Sequence, residues 1–212
     1  MARRPFLLLD LSNNNTVTDL SAIKRAGFAG VWHKVSEGES FFDGDWKERS
    51  ARLRAMGLRV GGYHFAQPGH GDVRREARFF AALLGKIQRR DLAPVLDFEV
   101  NPQHLPPAEL LAWARAFNHA FRDLAGVWPL FYSFPSFISN LGATQVIGRG
   151  LWLASFGRND GVEHSFVVPR PFKKALAHQF TSEGRVAGVS GRVDLSSAPR
   201  IVPLLAHGWR GL

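Results

Sequence analysis

The sequence predicts an α/β fold, an irregular TIM-like barrel, on three observations. Short apolar runs bounded by turn residues recur eight times along the 212 residues and are typical of buried strands. Helical patterns separate the early runs, and such alternation favours a parallel sheet that eight strands close into a barrel. Loop-like stretches separate the later runs. We therefore expect about five strand-helix units followed by three strands largely without helices.

Each predicted strand is a run of five to seven residues that ends near a turn or a polar side chain. In chain order the runs are FLLLD (6–10), GVWHKVS (30–36), RVGGYHF (59–65), APVLDFE (93–99), PLFYS (129–133), LWLAS (151–155), ALAHQF (175–180) and GRVDLS (191–196). We expect all eight to end at one rim of the barrel.

Helical patterns occur at 18–27, 45–57, 72–87 and 106–126. In the last of these, apolar residues repeat every three or four positions and form one stripe. A proline lies near its start and Gly126 follows its end, as at many helix termini. The stripe consists of Leu110, Ala114, Phe117, Phe121 and Leu124. The tail 197–212 is expected to form a short closing helix.

Composition indicates one globular domain, 1–212, and we expect a monomer. Hydrophobic residues make up 45% and charged residues 21% of the chain, and no linker or internal repeat divides it. The sequence contains no cysteine, which excludes disulfides, zinc fingers and thiol catalysis.

The net charge of +9 predicts attraction to polyanions, which include nucleic acid, acidic lipid and an anionic cell wall. The basic residues are scattered without interleaved aromatic residues and match no nucleic-acid motif, so no nucleic-acid partner is expected. No stretch reaches the ~20 apolar residues that span a bilayer, so membrane insertion is not expected. The first apolar run is also too short for a signal peptide.

Polar or aromatic side chains stand at the end of every predicted strand, where the active sites of parallel barrels lie. Asp97 and Glu99 are two residues apart in an extended chain, so both face the same side and Phe98 faces the other. Such a pair suits glycoside hydrolysis, which needs one carboxylic acid and one carboxylate. The alternative is that both form structural ion pairs with Lys34 or an arginine. The other strand-end residues are Asp10, His33, Lys34, Tyr63, His64, Tyr132, Trp152, Gln179 and Asp194.

Asp10 has two possible roles: it either belongs to the site or caps the SNNN turn that follows it.

The sequence gives less support to metal, serine-nucleophile or phosphate-binding chemistry. His33 and His64 are interpreted as core histidines, because they lack the spacing of a zinc site; we expect no metal and no cofactor. No nucleophilic-serine elbow and no phosphate-binding loop occurs in the sequence.

Seven segments in order resemble family 25 glycoside hydrolases, the muramidase-type lysozymes. They are LLLDLSNNN, VWHKVSEGESFFD, VGGYHFAQP, PVLDFE, PLFYSFPSF, LWLASFG and AHQFTSEGRVAGVSGRVDLS, and they cover nearly the whole chain. The resemblance implies cleavage of the β-1,4 bond between N-acetylmuramic acid and N-acetylglucosamine in bacterial peptidoglycan. It also implies a barrel of five strand-helix units plus three strands.

The resemblance also implies residue roles. Glu99 matches the general acid/base, and Asp97 matches a second carboxylate that is either the nucleophile or the group that orients the substrate's acetamido group. Asp10 and Asp194 match further acids of the cleft. Tyr63, Tyr132, Trp152 and Gln179 match sugar-contacting positions, to which the strand-end Lys34 is added as a substrate-binding residue.

Three alternatives remain: an inactive peptidoglycan-binding module on the same barrel, a chitinase, and a nucleic-acid binder. The site of action is expected to be the cell wall. Because no export signal is recognised, a phage enzyme released through a holin pore is favoured over a secreted bacterial one.

Overall fold

A computed structural model describes residues 5–207, and its main feature is a closed barrel of eight strands. The strands are β1 (Phe6–Leu11), β2 (Thr16–Val17), β3 (Gly30–Glu37), β4 (Phe41–Phe42), β5 (Arg59–Phe65), β6 (Val95–Asp97), β7 (Leu130–Ser133), β8 (Leu151–Ala154), β9 (Ala175–Gly184), β10 (Val189–Ser190) and β11 (Val193–Ala198). The helices are α1 (Leu20–Arg25), α2 (Trp46–Ala55), α3 (Val73–Leu84), α4 (Pro107–Ala125) and α5 (Pro135–Asn140), with a 3-10 helix at Val202–Leu204.

The barrel follows the order β1, β3, β5, β6, β7, β8, β9 and β11. The first seven of these strands run parallel, and β11 is antiparallel to both β9 and β1, which closes the barrel. Each of the first five barrel strands is followed by a helix, whereas β8 and β9 are followed by none and β11, as far as His207, only by the 3-10 turn. The predicted irregular barrel of five strand-helix units and three further strands is confirmed.

The fifth helix and the last strand differ in detail from the prediction. Five strand-helix units were expected, but the position of the fifth helix, α5, was not predicted, because its six residues are too few to show a helical period. The last strand runs opposite to the others, so its end does not lie at the common rim. Only eight residues, 185–192, separate β9 from β11, and a parallel crossover needs a dozen or more. The rim at the carboxyl ends of the parallel strands is called the upper end here, and the opposite rim the lower end.

The core consists of two apolar layers. The barrel interior contains Trp32 stacked on Trp152, with ring centroids 4.2 Å apart. The outer layer lies between the strands and the helices, where Phe80 of α3 stacks on Phe121 of α4 at 4.8 Å. Four residues of the predicted α4 stripe are buried there, but Leu124 is 53% exposed because it lies beyond the strands at the lower end.

The segment after β11 covers the lower end of the barrel. Ala93 donates its N–H to the Leu204 carbonyl at 2.7 Å, and Ala206 donates to the Asp91 carbonyl at 2.9 Å. The guanidinium of buried Arg149 donates to three carbonyl oxygens of this segment. The predicted closing helix is present only as a single 3-10 turn, and residues 208–212 of that prediction lie outside the described residues.

Between Pro5 and His207 the structure has no helix long and apolar enough to cross a membrane.

Candidate active site

A pocket of about 190 Å³ opens at the upper end of the barrel. All nine residues that the sequence predicts for the site line this pocket, together with three that it does not predict. The predicted residues are Asp10, Lys34, Tyr63, Asp97, Glu99, Tyr132, Trp152, Gln179 and Asp194, and the additional ones are Ser12, Asn14 and Phe65.

The paired acids take their direction from β6. Asp97 is the last residue of this strand, and alternation along the extended chain turns Asp97 and Glu99 toward the pocket while Phe98 points outward. Phe98 is fully buried and stacks on Trp113 of α4 with centroids 5.6 Å apart. Its N–H donates to the Tyr132 carbonyl at 2.9 Å, which fixes the backbone between the two acids. Phe98 therefore anchors both carboxylates without entering the pocket.

A chain of hydrogen bonds fixes Asp10. The Tyr132 hydroxyl donates to Gln179 Oε1 at 2.7 Å, and Gln179 Nε2 donates to Asp10 Oδ2 at 2.7 Å. The turn after β1 is instead held by Asn15, whose Oδ1 accepts from the Ser12 N–H at 2.8 Å. The interpretation of Asp10 as the cap of that turn is therefore wrong.

Asp194 reaches the pocket by a different route from the one the sequence predicts. It was placed at the end of the last strand, but it is the second residue of β11. Because β11 is antiparallel to its neighbours, its beginning lies at the upper end beside the carboxyl ends of the other strands. Asp194 therefore lies at the predicted rim because it begins an antiparallel strand, and not because it ends a parallel one.

Burial dominates the electrostatics of the four acids. It raises the pKa of Asp194 to about 6, and it raises the pKa of Asp10, to which the Asp194 charge adds. Burial also raises the pKa of Asp97, with Glu99 contributing next, and the pKa of Glu99, with Asp194 contributing next. All four groups thus hold protons at higher pH than free carboxyls do.

No cation within residues 5–207 forms an ion pair with any of the four acids. Lys34 lines the pocket, but its Nζ pairs with Glu37 at 2.6 Å and lies 5.1 Å from the ring centroids of Phe41 and Phe65. The interpretation of Asp97 and Glu99 as members of structural ion pairs is therefore wrong.

The aromatic residues differ in how much surface they offer. Trp152 is only 2% exposed, because it stacks on Trp32 below and donates its indole N–H to Ser196 at 3.0 Å. It therefore belongs to the pocket floor. Tyr63 is partly exposed, and burial followed by the Asp97 charge raises the pKa of its hydroxyl. Its hydroxyl therefore stays neutral.

Three residues that line the pocket were not predicted from the sequence. Ser12 and Asn14 belong to the SNNN turn after β1, and Phe65 ends β5. Their proximity to a predicted strand end was a usable signal, since the loops that follow barrel strands build the active sites of this architecture.

The two strand-end histidines lie outside the pocket. His33 is fully buried, with its Nδ1 2.7 Å from the Lys34 carbonyl oxygen. His64 is also fully buried and contacts Ser36 and Glu76 at 2.8 Å each. Across the described residues, no three or more His, Cys, Asp or Glu side chains are grouped so that they could hold a metal ion.

Comparison with known proteins gives consistent results. The family described as "Glycosyl hydrolases family 25" matches residues 9–189. Lysozyme M1 from Streptomyces globisporus is 26% identical over 210 residues, which cover 92% of this chain and 70% of that protein. The N,O-diacetylmuramidase from Chalaropsis sp. is 28% identical over 142 residues, covering 62% of this chain and 67% of that protein. The crystal structure of a bacterial lysozyme from Streptomyces coelicolor superposes with a TM-score of 0.83 at 25% identity, covering 92% of both chains.

Proposed function

This chain belongs to glycosyl hydrolase family 25, and from this premise we propose that it cleaves the β-1,4 bond between N-acetylmuramic acid and N-acetylglucosamine in bacterial peptidoglycan. The observation that carries the proposal is the pocket itself. Four carboxyl groups converge there without a cationic partner among the described residues, beside neutral hydroxyl and amide groups that suit a sugar. Burying unpaired carboxyls is costly, so their retention indicates chemistry.

Glu99 is the proposed general acid and base. It is less buried than Asp97 and therefore the more accessible of the two to a glycosidic oxygen. Burial and Asp194 raise its pKa, which favours the protonated form that a general acid needs. It would protonate the leaving oxygen and then, as the carboxylate, accept a proton from water.

Asp97 is the proposed second carboxylate. Burial raises its pKa as well, so Asp97 and Glu99 compete for one proton, whereas the roles that the resemblance implies need Asp97 ionised and Glu99 protonated. A substrate that develops positive charge beside Asp97 favours the ionised form of that group and leaves the proton on Glu99. Asp97 then acts either as the nucleophile or by orienting the 2-acetamido group of the substrate.

The remaining groups would position the sugar. Gln179 fixes Asp10 through the hydrogen bond from its Nε2, and the neutral Tyr63 hydroxyl is available as a donor. Lys34 lowers the pKa of both Asp97 and Glu99 and so limits how far burial raises them. Tyr132 and Trp152 would form the floor on which a sugar ring rests.

Replacing Glu99 with Gln tests the assignment. Because a positioned general acid contributes about 10²–10⁴-fold to the rate, Glu99→Gln should reduce turnover of purified peptidoglycan by about that factor with the melting temperature preserved. The matched control is Glu109→Gln, an exposed glutamate in the first turn of α4. Near-normal turnover by Glu99→Gln would reject the role of Glu99.

Mass analysis of the digested fragments tests the bond that is cleaved. A muramic acid at the reducing end identifies a muramidase, whereas a glucosamine end would reject the proposed bond. Nothing in the comparisons supports the inactive-module alternative, and wall clearing by the wild-type protein would exclude it. The proposed partner is peptidoglycan and the proposed site of action is the bacterial cell wall.

A further inference from the structure

Charge is segregated along the barrel axis. The segments that close the lower end are 24–29, 52–59, 84–94, 122–129, 141–150, 169–174 and 199–207. They carry fourteen lysine and arginine residues but only two carboxylates. The rest of residues 5–207 carries ten lysine and arginine residues and sixteen carboxylates. The surplus of positive charge therefore lies at the end opposite the pocket, and the rest of the described chain carries a surplus of negative charge.

Several of the lower-end cations are free to meet a partner. Lys86, Arg89, Arg90 and Arg200 are exposed and form no ion pair with any residue of the described part of the chain. The loop that carries the first three is joined to the segment that carries Arg200 through the bridge between Leu92 and Leu205. These cations therefore share one surface, called the basal face.

The basal face also exposes apolar side chains among its cations. Leu124 is 53% exposed, Val146 is 41% exposed and Val202 is 59% exposed. Leu7, at the start of β1, is 40% exposed at the same end. A soluble polyanion gains nothing from such side chains, whereas the interface of a lipid bilayer accepts apolar groups beside cations. Exposed apolar side chains beside cations therefore favour a lipid surface over a hydrophilic polymer as the partner of the basal face.

We propose that the basal face binds peripherally to the surface of an anionic phospholipid bilayer. Lysine and arginine are attracted to the negative headgroups, and the exposed leucine and valine side chains enter the interface. No helix inserts, in agreement with the described helices. The pocket lies at the opposite end, so the bound protein presents it away from the membrane. The benefit of this orientation for wall hydrolysis rests on the proposed function. The binding of the basal face to lipid does not depend on that function.

Sedimentation with vesicles tests the binding. The probes are vesicles of phosphatidylglycerol with phosphatidylcholine and vesicles of phosphatidylcholine alone. Binding to the anionic vesicles should be at least about tenfold stronger and should weaken as salt is raised, because the attraction is electrostatic. The variant K86Q/R89Q/R90Q/R200Q should lose at least about tenfold in binding.

A matched variant separates location from net charge. K47Q/R74Q/R115Q/R185Q also removes four exposed cations whose side chains form no ion pair with a described residue, and all four lie outside the lower-end segments. It should bind vesicles within about twofold of the wild type. Equal losses in the two variants would show that only net charge matters and would overturn the proposal.

A second pair tests the apolar contribution. L124N/V202N should weaken vesicle binding several-fold and leave binding to soluble polyphosphate unchanged, whereas F42N/V162N, at exposed sites outside the lower-end segments, should change neither. Polyphosphate binding without vesicle binding would overturn the proposal in favour of a soluble polyanion. Glu99→Gln should bind vesicles like the wild type, so failure of catalysis and failure of lipid binding are distinguishable.

Discussion

Asp194 acts on Glu99 through charge alone, with no hydrogen bond between them. It is the second-largest contribution to the raised pKa of Glu99, after burial. The Asp194 charge also raises the pKa of Asp10, again second to burial. Since the pKa of Asp194 itself is raised to about 6, its charge is present only above that pH. The proton affinity of the proposed catalytic acid is thus set partly by a neighbour that titrates near neutrality.

Replacing Asp194 with Asn should shift the pH dependence of activity. The proposed general acid must be protonated, so activity falls as pH rises through its pKa. Removing a negative neighbour lowers that pKa, and the alkaline limb of the kcat/KM profile should move to lower pH. Asp123→Asn, at the lower end, is the control and should leave the limb in place. A limb that stays in place or moves upward in Asp194→Asn would contradict the assignment.

The sequence predicted that these residues converge on one pocket because of a simple regularity. Polar side chains at the carboxyl ends of parallel strands converge, so spacing alone brought Asp10, Asp97 and Tyr63 to one rim. Protonation was less predictable. Which of Asp97 and Glu99 holds a proton depends on how deeply each is buried, and burial is a property of the folded barrel.

At the scale of elements, a buried polar contact joins β3, β5 and α3. His64 of β5 contacts Ser36 of β3 through Nδ1 and Glu76 of α3 through Nε2, each at 2.8 Å. Glu76 Oε1 also accepts from the Gln67 N–H at 2.9 Å. Burial lowers the pKa of His64 against the opposing effect of Glu76, so the ring tends toward its neutral form. The contact fixes α3 against the sheet.

Glu76→Ala should therefore destabilise the protein by about 2–4 kcal/mol, because a buried imidazole and a backbone N–H lose their acceptor. Glu48→Ala is the control, since Glu48 forms only an exposed pair with Arg52 on α2, and it should cost at most about 0.5 kcal/mol. Urea unfolding measures both. Equal small effects would show that the contact contributes little. Glu76→Gln, which keeps an acceptor, should fall between them.

Long helices and strands whose signals lie within their own residues could be predicted, whereas features that depend on distant strands could not. The pattern of α4 marked both of its ends, and the structure places it at Pro107–Ala125 with Gly126 in the left-handed conformation at φ 71°. The direction of β11 was not read from its own residues. Direction depends on which strands it joins, and the short connection from β9 was the only local sign of it.

At the scale of the whole molecule, the raised carboxyl pKa values link stability to pH. A carboxyl whose pKa is higher in the folded protein makes the folded state bind more protons than the unfolded chain. The free energy of unfolding therefore falls as pH rises from the unfolded pKa to the folded one. For Asp194 this window runs from about 4 to about 6.

Asp194→Asn should remove that part of the pH dependence. The variant should be more stable than the wild type at pH 7 by on the order of 1–2 kcal/mol, and the difference should disappear near pH 4. Urea unfolding at both pH values measures it. A difference that is equal at the two pH values would mean that contacts of the side chain, and not its ionisation, are responsible.

The hydrogen bonds between β1 and β11 join the two ends of the described chain in one barrel, so we propose that the chain forms one domain. The full chain of 212 residues carries a net charge of +9 around an acidic pocket, and its long-range field should attract it to an anionic wall. Glu99→Gln isolates association from turnover. Its binding to purified walls should fall several-fold between ~0.01 M and ~0.15 M salt, because the Debye length shortens from about 30 to 8 Å. Walls stripped of anionic polymers should lose this dependence. If binding to intact walls does not change with salt, affinity resides in the glycan contacts of the pocket alone, and the positive charge serves another surface.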